Sequence, residues 1–238
     1  MVETIAQSND MVKEIISDNC SVYRITEIPG DGKSTVYKLF PGVYLIYNDY
    51  HTKEGLSNLQ YTKKMISIDH CAEGRIEWEH TDGSFCYLGE QDVQISAKTD
   101  HVNRYGFPIN HYHGITINFF IEETEKSLKE CFPTIDINLE MIWLKYQTKK
   151  DFFVMRSEEK IQSIFSDLYK NRNNIQINYL RIKFMELVII LSEMKAVETT
   201  IEKPYFKRSQ VEQVRAVKDY LCKHTDKKNN VTGVGNKI

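Results

Sequence analysis

The chain has 238 residues, of which 41% are hydrophobic and 27% are charged, and its formal net charge is −2. This composition excludes a disordered chain, and the length gives one large domain or two modest ones, each with its own core. No stretch reaches the roughly 20 consecutive apolar residues of a membrane span. Four acidic residues interrupt the first 22 positions, so neither a membrane segment nor a secretory signal is predicted.

The five cysteines are scattered along the chain and form no CxxC pair. An odd, dispersed set argues against a disulfide framework and favours a reducing compartment. We therefore expect a cytoplasmic protein.

Charge is distributed unevenly between the C-terminal segment and the rest of the chain. From Lys203 to the end, nine Lys or Arg stand against three acidic residues, a net charge of +6, which leaves −8 on the first 202 residues. A basic segment on an acidic body predicts a nucleic-acid contact at that end. A basic helix and tail that are merely solvated would give the same charge pattern.

Residues 1–33 are predicted to be an N-terminal extension with at most one short helix, over 8–17. Apolar residues at positions 11, 12, 15 and 16 would lie on one side of that helix. Two strands are predicted next, over 36–39 and 43–50. The polar segment 51–62 is predicted to be a loop.

The stretch 66–93 has a clear strand pattern. Ile76, Trp78 and His80 alternate with polar residues, which is typical of a strand with one buried face. The Asp82-Gly83 dipeptide that follows is a strong hairpin signal. We predict three or four short strands joined by tight turns.

Two more strands, over 93–97 and 111–122, flank a polar loop over 98–110. Together the strands predict a β-barrel or sandwich over 34–125, with an interior that could hold a ligand. For each predicted pocket residue, plain core packing is the alternative to ligand contact. The predicted pocket residues are His70, Trp78, His80, Tyr87, His111 and His113.

After the strands the hydrophobic period becomes helical. A short helix is predicted over 137–146 and a brief extended piece over 152–155. Ser157, followed by two glutamates, is predicted to cap a helix with an apolar stripe over 161–169. A longer helix is predicted over 175–195.

This long helix is apolar on more than one side, which is typical of a helix that packs against two neighbours. One interpretation is a buried core helix. The other is a helical hairpin that seals the barrel with one side and pairs with a second subunit through the other. We predict the second, a homodimer whose contact is made by Leu180, Phe184, Leu187, Val188 and Leu191.

The last predicted helix, over 209–223, follows a linker that contains Pro204. Its start is marked by a Ser209-x-x-Glu212 capping box. The residues predicted to face inward from this helix are Val211, Val214, Val217 and Leu221.

Several motifs, in their order along the chain, resemble those of AraC-type transcription regulators. They are Pro41-Gly42-Val43, the segment from His70 to Glu77 with its Asp82-Gly83 hairpin, Gly89-x-x-Asp92, Phe107-Pro108 followed by His111-Tyr-His-Gly-Ile115, and Tyr179-Leu-Arg-Ile-Lys-Phe-Met-Glu-Leu187. The resemblance covers residues 35–225 and rests on the order and spacing of these motifs together.

The resemblance implies a cupin-like effector-sensing barrel over 34–125, a helical dimerisation region over 126–200, and a linker with an incomplete helix-turn-helix domain over 201–238. It also implies a small-molecule effector and DNA as partners. The recognition helices of the family are missing from the sequence, so no residue is assigned to read bases in the major groove. We expect a truncated regulator that is inactive in transcription or acts through mixed dimers with intact partners. DNA-backbone contacts, weak at best, are predicted for Lys207, Arg208 and Arg215.

His111-x-His113 is the one spacing that could indicate an enzyme. Residues two apart on a strand face the same way, so without a bulge at Gly114 both imidazoles would share the inward face with Ile115. Such a pair could bind a transition metal, which makes a metal-dependent cupin enzyme the alternative function. Those enzymes also carry a glutamate shortly after the pair and a third histidine on a later strand. Here Glu122 and Glu123 come too late, so we predict no metal, no cofactor and no enzymatic activity.

The predicted fold class is therefore α+β, with a cupin-like β-barrel or sandwich, a helical dimerisation hairpin and the first helix of a DNA-binding domain. The predicted function is transcription regulation of the AraC type. A third interpretation is a helix-mediated scaffold with a packed, empty barrel.

Overall fold

The structure, a computed structural model, describes residues 11–25, 30–56, 63–79, 83–98, 104–147, 153–156, 159–172, 176–194 and 206–224. This part of the chain holds a large antiparallel sheet and five helices, so the predicted α+β class is confirmed. The cupin-like barrel stays a prediction, because the sheet is open. None of the described helices is long and apolar enough to cross a membrane.

The strands, in chain order, are β1 (Met11–Ser17), β2 (Cys20–Ile25), β3 (Gly30–Phe40), β4 (Val43–Thr52), β5 (Glu54–Leu56), β6 (Met65–Glu79), β7 (Ser84–Gly89), β8 (Asp92–Lys98), β9 (Arg104–Gly106), β10 (Tyr112–Phe120), β11 (Phe153–Arg156) and β12 (Phe206–Lys207). The helices are α1 (Ile121–Cys131), α2 (Leu139–Tyr146), α3 (Glu159–Lys170), α4 (Ile177–Glu193) and α5 (Arg208–Lys223).

These strands form two sheets that share β6. In the first sheet the order is β1-β2-β3-β4-β10-β6-β8-β11, and in the second it is β5-β9-β6-β7-β12. The first half of β6 pairs with β10 and β8, and its second half pairs with β7 and β9. All of these pairings are antiparallel, so a single long strand passes from one sheet into the other.

The passage of β6 between the sheets takes place at a β-bulge followed by a glycine. His113 pairs with Glu73 and the next residue, Gly114, pairs with Cys71, so Ala72 is the extra residue on β6. Gly74 then adopts a φ of +85°, a conformation that residues with a Cβ rarely adopt. Bulges bend and twist a strand, and here the bend redirects the second half of β6.

The larger core, called here the helix-side core, lies between one face of the first sheet and α1 to α4. The predicted stripe of α3 is buried in it, as are the main apolar residues of α4. Phe184 of α4 is fully buried and packs against the rings of Phe40 and Phe119 at centroid distances of 6.1 and 5.5 Å. Full burial of one such side chain stabilises the fold by ~1.5–3 kcal/mol.

Lys145 fastens the end of α4 to α2. Its ammonium nitrogen donates hydrogen bonds to the carbonyl oxygens of Leu191, Ser192 and Met194 at 2.8, 3.0 and 2.6 Å. The last carbonyls of a helix have no partner within the helix and carry its partial negative charge. The Lys145 ammonium group gives these carbonyl oxygens hydrogen-bond donors and a compensating positive charge.

The N-terminal prediction of a helix over 8–17 is wrong where the structure describes it. Met11–Ser17 is strand β1, which pairs with β2 and continues the first sheet beyond β3. The side chains of Val12, Ile15 and Ile16 are 58%, 71% and 56% exposed. As a helix, this segment would have an apolar side that requires a core to cover it. Its valine and isoleucine residues are β-branched, and β-branched residues favour the extended conformation of a strand.

The structure differs from the prediction in three further respects. The strand expected over 111–122 ends at Phe120, and α1 begins directly after it. Short strands β5 and β9 pair with each other within segments predicted as loops. The helix expected over 209–223 is confirmed as α5, but it begins one residue early, and Gln210 accepts a hydrogen bond from the Lys207 backbone N–H at 3.0 Å in place of the predicted capping box.

Candidate functional site

The residues predicted to line one pocket do not converge. His70 faces α3 on the helix side of the first sheet, and Trp78 lies between the two sheets. Tyr87 lies beside β12, and His111 and His113 lie together at the edge of the helix-side core. His80 lies outside the described residues. Alternation along one strand gives the face of a residue, but it does not show that β6 belongs to two sheets.

His70 connects the first sheet to α3. Its Nε2 lies 3.1 Å from Gln162 Oε1, and its Nδ1 lies 3.1 Å from the Tyr169 hydroxyl. The imidazole also stacks on Phe165 with a centroid distance of 4.5 Å. Because the Gln162 oxygen can only accept, Nε2 carries the proton in the neutral ring and Nδ1 accepts from Tyr169. His70 therefore has a packing role between sheet and helix.

The space between the two sheets holds a second core, called here the inner core. It contains Trp78 with other buried residues of both sheets, and aromatic rings fill much of it. Phe107 stacks between Tyr50 and Tyr112 at centroid distances of 5.0 and 5.6 Å. Burial raises the pKa of Tyr50 to about 12, so its hydroxyl stays protonated beside Ser34. Trp78 is thus buried in a core to which both sheets contribute aromatic and aliphatic side chains.

Tyr87 lies on the opposite face of the second sheet from Trp78. It pairs directly with Glu77, and its ring contacts Phe206 at a centroid distance of 5.6 Å. Burial raises the pKa of Tyr87 to about 12, and the Glu77 carboxylate adds to the rise. Tyr87 therefore belongs to the surface that receives β12 and α5.

Two arginines hold α5 against this surface. Arg215 pairs with Glu77 and Arg208 pairs with Glu79, and the Arg215 guanidinium lies 5.4 Å from the centre of the Phe85 ring. The Glu77 side chain is only 9% exposed, whereas that of Arg215 is 48% exposed. The guanidinium groups of Arg208 and Arg215, which were predicted to contact DNA, are thus paired with carboxylates of the same chain. Lys207 is exposed.

The inward stripe predicted for α5 is only partly correct. Val211 is buried, but Val214 and Leu221 are 68% and 39% exposed. Residues three and four apart on a helix lie on the same side, so buried Val211 shares its side of α5 with Arg208 and Arg215, which pair with the second sheet.

Three histidines meet at one end of the first sheet and form what we call the histidine cluster: His51, His111 and His113. One nitrogen of each ring lies within 4.8 Å of one nitrogen of both others. The Nδ1 atoms of His51 and His111 are 3.3 Å apart. The ring centroids are 4.6 to 5.3 Å apart. Imidazole nitrogens at such distances can share protons or bind one metal ion.

Two carboxylates lie against the histidine cluster. Asp49 Oδ1 is 2.7 Å from His113 Nε2 and 3.1 Å from His51 Nε2. Glu73 Oε2 is 3.3 Å from His111 Nε2 and 3.6 Å from His113 Nδ1. The contact between Asp49 Oδ1 and His113 Nε2 is the shortest of these, and both atoms are buried, so this charged pair is held away from solvent.

Arg172, which follows α3, adds a positive charge beside Asp49. Its guanidinium nitrogen lies 3.5 Å from Asp49 Oδ2. Burial raises the pKa of the Asp49 carboxyl, but the charges of His113 and Arg172 lower it by more, so the net pKa is below its ordinary value. Asp49 therefore remains an anion next to the histidines.

The strand register explains why these groups meet. His113 pairs with Asp49 across β10 and β4, and Tyr112 pairs with Tyr50. Residues two apart on a strand face the same way, so His51 lies beside Asp49 on that face. The bulge at Ala72 turns Glu73 toward the same side as His113. Gly74 is required for this approach, since a Cβ there would lie 2.1 Å from the His111 carbonyl oxygen.

The prediction about the direction of His111 and His113 therefore needs one correction. β10 itself runs without a register shift against β4, so His113 shares a face with Ile115, and the His111 ring lies beside that of His113. However, Ile115 belongs to the helix-side core, and Tyr112 on the other face belongs to the inner core. The histidine pair thus faces away from the space between the sheets.

His51 was not among the predicted site residues, because the segment 51–62 was predicted to be a loop. The available signal was an Asp49-x-His51 pattern that matches the His111-x-His113 pattern. Two such patterns on adjacent antiparallel strands bring four side chains together. The meeting of these side chains depends on the pairing of β4 with β10, and no pattern in the sequence indicates that pairing.

The five residues predicted to form the dimer contact lie inside the chain's own core. Leu180, Phe184, Leu187, Val188 and Leu191 are all 0% exposed. They cover the first sheet, so in this fold they cannot reach a second subunit. The exposed apolar residues on α4 are instead Ile182 and Ile189, at 65% and 36% exposure.

Comparison with known proteins gives weak similarities to solved structures. No family model matches the chain, and no curated protein matches it. ToxT from Vibrio cholerae is similar at 10% identity and a TM-score of 0.37, over 81% of this chain and 70% of that one. The AraC-like transcriptional activator CuxR has 8% identity and a TM-score of 0.43, over 88% of this chain and 70% of that one.

An HTH_3 family transcriptional regulator from Vibrio cholerae is also similar, at 15% identity and a TM-score of 0.28. The similarity covers 37% of this chain and 51% of that chain. Similarity at this level does not assign the chain to a family.

Proposed function

We propose that this chain is the effector-sensing and dimerising part of an AraC-type transcription regulator. Support comes from the motifs that resemble that family and from the order of the elements: a two-sheet region, a helical hairpin and a basic helix. The motif from Tyr179 to Leu187 lies within α4. The observation that carries the proposal is the second, exposed apolar row of α4.

This row has the spacing of a helix–helix contact. Ile182 and Ile189 are seven residues apart, which places them on one side of the helix at the period of paired helices. Both are exposed, whereas the opposite row is buried in the helix-side core. We propose that two copies of α4 pack through Ile182 and Ile189, while the buried row holds α4 on its own sheet.

Sedimentation of the purified chain tests this contact. The wild type is expected to be a dimer, and the double substitution Ile182→Glu with Ile189→Glu is expected to be a folded monomer, because a buried carboxylate disfavours the paired state. Val214→Glu is the matched control, since Val214 is an equally exposed aliphatic residue on α5. A monomeric wild type, or a double variant that remains dimeric, contradicts the proposed contact.

The regulatory role is tested by transcript profiling of cells that express the wild type or the double variant. A defined set of transcripts should change with the wild type only. Identical profiles would contradict a regulatory role for the dimer.

The effector is proposed to bind between the two sheets, near Trp78. Support comes from the buried position of Trp78 among residues of both sheets. A small molecule specific for the folded state raises the melting temperature, so a thermal-shift screen with small metabolites tests this part. Absence of any stabilising compound would favour the scaffold interpretation, in which the inner core is simply packed.

The alternative of a metal-dependent cupin enzyme is less well supported. It requires a metal held in the space between the sheets, and the His111-x-His113 pair faces the helix side instead. DNA-backbone contact by Lys207, Arg208 and Arg215 remains part of the proposal. Because Arg208 and Arg215 pair with Glu79 and Glu77, such contact would compete with the docking of α5.

A further inference from the structure

We propose that the histidine cluster binds a divalent transition-metal ion of the zinc class, at a site separate from the proposed effector site. The distances between the ring nitrogens carry this inference. Zinc binds imidazole nitrogen at about 2.0–2.1 Å, which in a tetrahedral site separates the ligating nitrogens by roughly 3.3–3.4 Å. The Nδ1 atoms of His51 and His111 are already 3.3 Å apart. His113 completes a set in which one nitrogen per ring lies within 4.8 Å of the others.

The two carboxylates are arranged as supports for such ligands. Ligating histidines usually give their second ring nitrogen to a carboxylate, which fixes the ring and raises its basicity. Asp49 lies against the Nε2 atoms of His51 and His113, and Glu73 lies against Nε2 of His111. For His51 and His111 this leaves Nδ1 as the atom that binds the metal, and these are the two atoms that lie 3.3 Å apart.

The chemistry of the site selects the class of ion. Imidazole suits Zn²⁺, Cu²⁺ and Ni²⁺, whereas Mg²⁺ and Ca²⁺ prefer sites made of oxygen. The side chains of His51, His111 and His113 are 48%, 33% and 26% exposed, so an ion can enter from solvent and keep a water ligand. The charges of Asp49 and Glu73 offset those of the ion and of Arg172 nearby.

The backbone holds two of the three ligands, His51 and His113, on strands, and His111 directly precedes β10. His113 and its partner Asp49 lie on neighbouring strands of the first sheet, and His51 lies on the same strand as Asp49. Sites built on strands hold geometry better than sites on loops. The alternative is a polar edge of the sheet in which the histidines contact only Asp49 and Glu73, and that alternative predicts no stoichiometric metal binding.

Calorimetric titration of the chelator-treated chain with Zn²⁺ tests the proposal. One Zn²⁺ per chain is expected, and Co²⁺ in its place should give the strong visible absorption of a four-coordinate site. His51→Gln and His113→Gln should each weaken Zn²⁺ binding by more than about tenfold, and Asp49→Asn by about 10–100-fold. Asp49 acts here as a positioning residue, so the Co²⁺ spectrum of Asp49→Asn should change even where the ion still binds.

His224→Gln is the control, since His224 lies at the end of α5 and outside the cluster. It should bind Zn²⁺ like the wild type. His51 is half exposed, so its substitution should leave the fold intact, which circular dichroism checks. Failure of the wild type to bind Zn²⁺ stoichiometrically, or unchanged binding in both His51→Gln and His113→Gln, would overturn the metal site. Neither result bears on the dimer contact of α4.

Discussion

His70 is a titratable side chain with both ring nitrogens engaged inside the helix-side core. Burial lowers the pKa of His70 below its ordinary value, and the Gln162 hydrogen bond and the Asp92 charge offset only part of this shift. The unfolded chain has an ordinary histidine pKa of about 6.5. As the pH falls below that value, the unfolded state takes up the proton first, so His70 stabilises the fold at neutral pH and this contribution is lost in acid.

We expect His70→Phe to flatten this part of the pH dependence. At pH 7.5 the variant should also lose about 1–3 kcal/mol of unfolding free energy, because the Tyr169 hydroxyl and the Gln162 amide lose their partner. Urea unfolding at pH 7.5 and pH 5.5 measures both effects. The wild type, unfolded under the same two conditions, serves as the comparison. An unchanged slope in His70→Phe would show that other groups cause the acid sensitivity.

The positions of some single residues were predicted correctly from the sequence and those of others were not, and the histidines show why. Alternation correctly gave Trp78 a buried position and gave His111 and His113 a shared face. It could not show which layer covers that face, because side chains on both faces of β10 are buried. His51 and Glu73 reach His113 through strand register and a bulge, and neither feature has a signal within a single strand.

Among the elements, α5 makes a contact whose strength depends on one buried carboxylate. Glu77 is largely buried and pairs with Arg215, whereas Arg208 pairs with the somewhat more exposed Glu79. Removing one partner of a buried ion pair leaves an uncompensated charge. Exposed ion pairs contribute only about 0–1 kcal/mol and weaken with salt.

We therefore expect Arg215→Met to release α5 from the second sheet, and Arg208→Met to do so less. Hydrogen exchange of peptides from α5 should become faster in Arg215→Met, and Lys223→Met, at the exposed end of the same helix, should match the wild type. If the arginines also contact DNA, Glu77→Gln should raise the affinity for duplex DNA in fluorescence anisotropy. Equal exchange in Arg215→Met and the wild type would contradict the role of this ion pair.

At the scale of elements, the sequence predicted the helices with long apolar periods well. α3, α4 and α5 are present close to the expected positions because each repeats its apolar residues at helical spacing. β1 was mistaken for a helix because four apolar residues fit either period over so short a segment. α1 was missed because its start follows a strand without a break and its residues are mostly polar.

Across the whole molecule, the sheet and the helical hairpin form one body. The helix-side core contains side chains from the strands and from α1 to α4 together. The predicted boundary between a barrel and a helical region therefore does not separate two cores. The residues of α4 that were predicted to join two subunits instead join the sheet to the helices. The apolar period of α4 alone does not show which of these two partners a buried row contacts.

The sharing of β6 by both sheets has a consequence for how the molecule melts. Along each half, β6 has a hydrogen-bonded neighbour on either side, so neither sheet can separate without breaking pairings of the same strand. We expect one calorimetric transition, with equal van't Hoff and calorimetric enthalpies, while two resolved transitions would contradict this expectation. On this expectation, no half-melted form keeps one sheet intact, and the inner core and the helix-side core are lost in the same event.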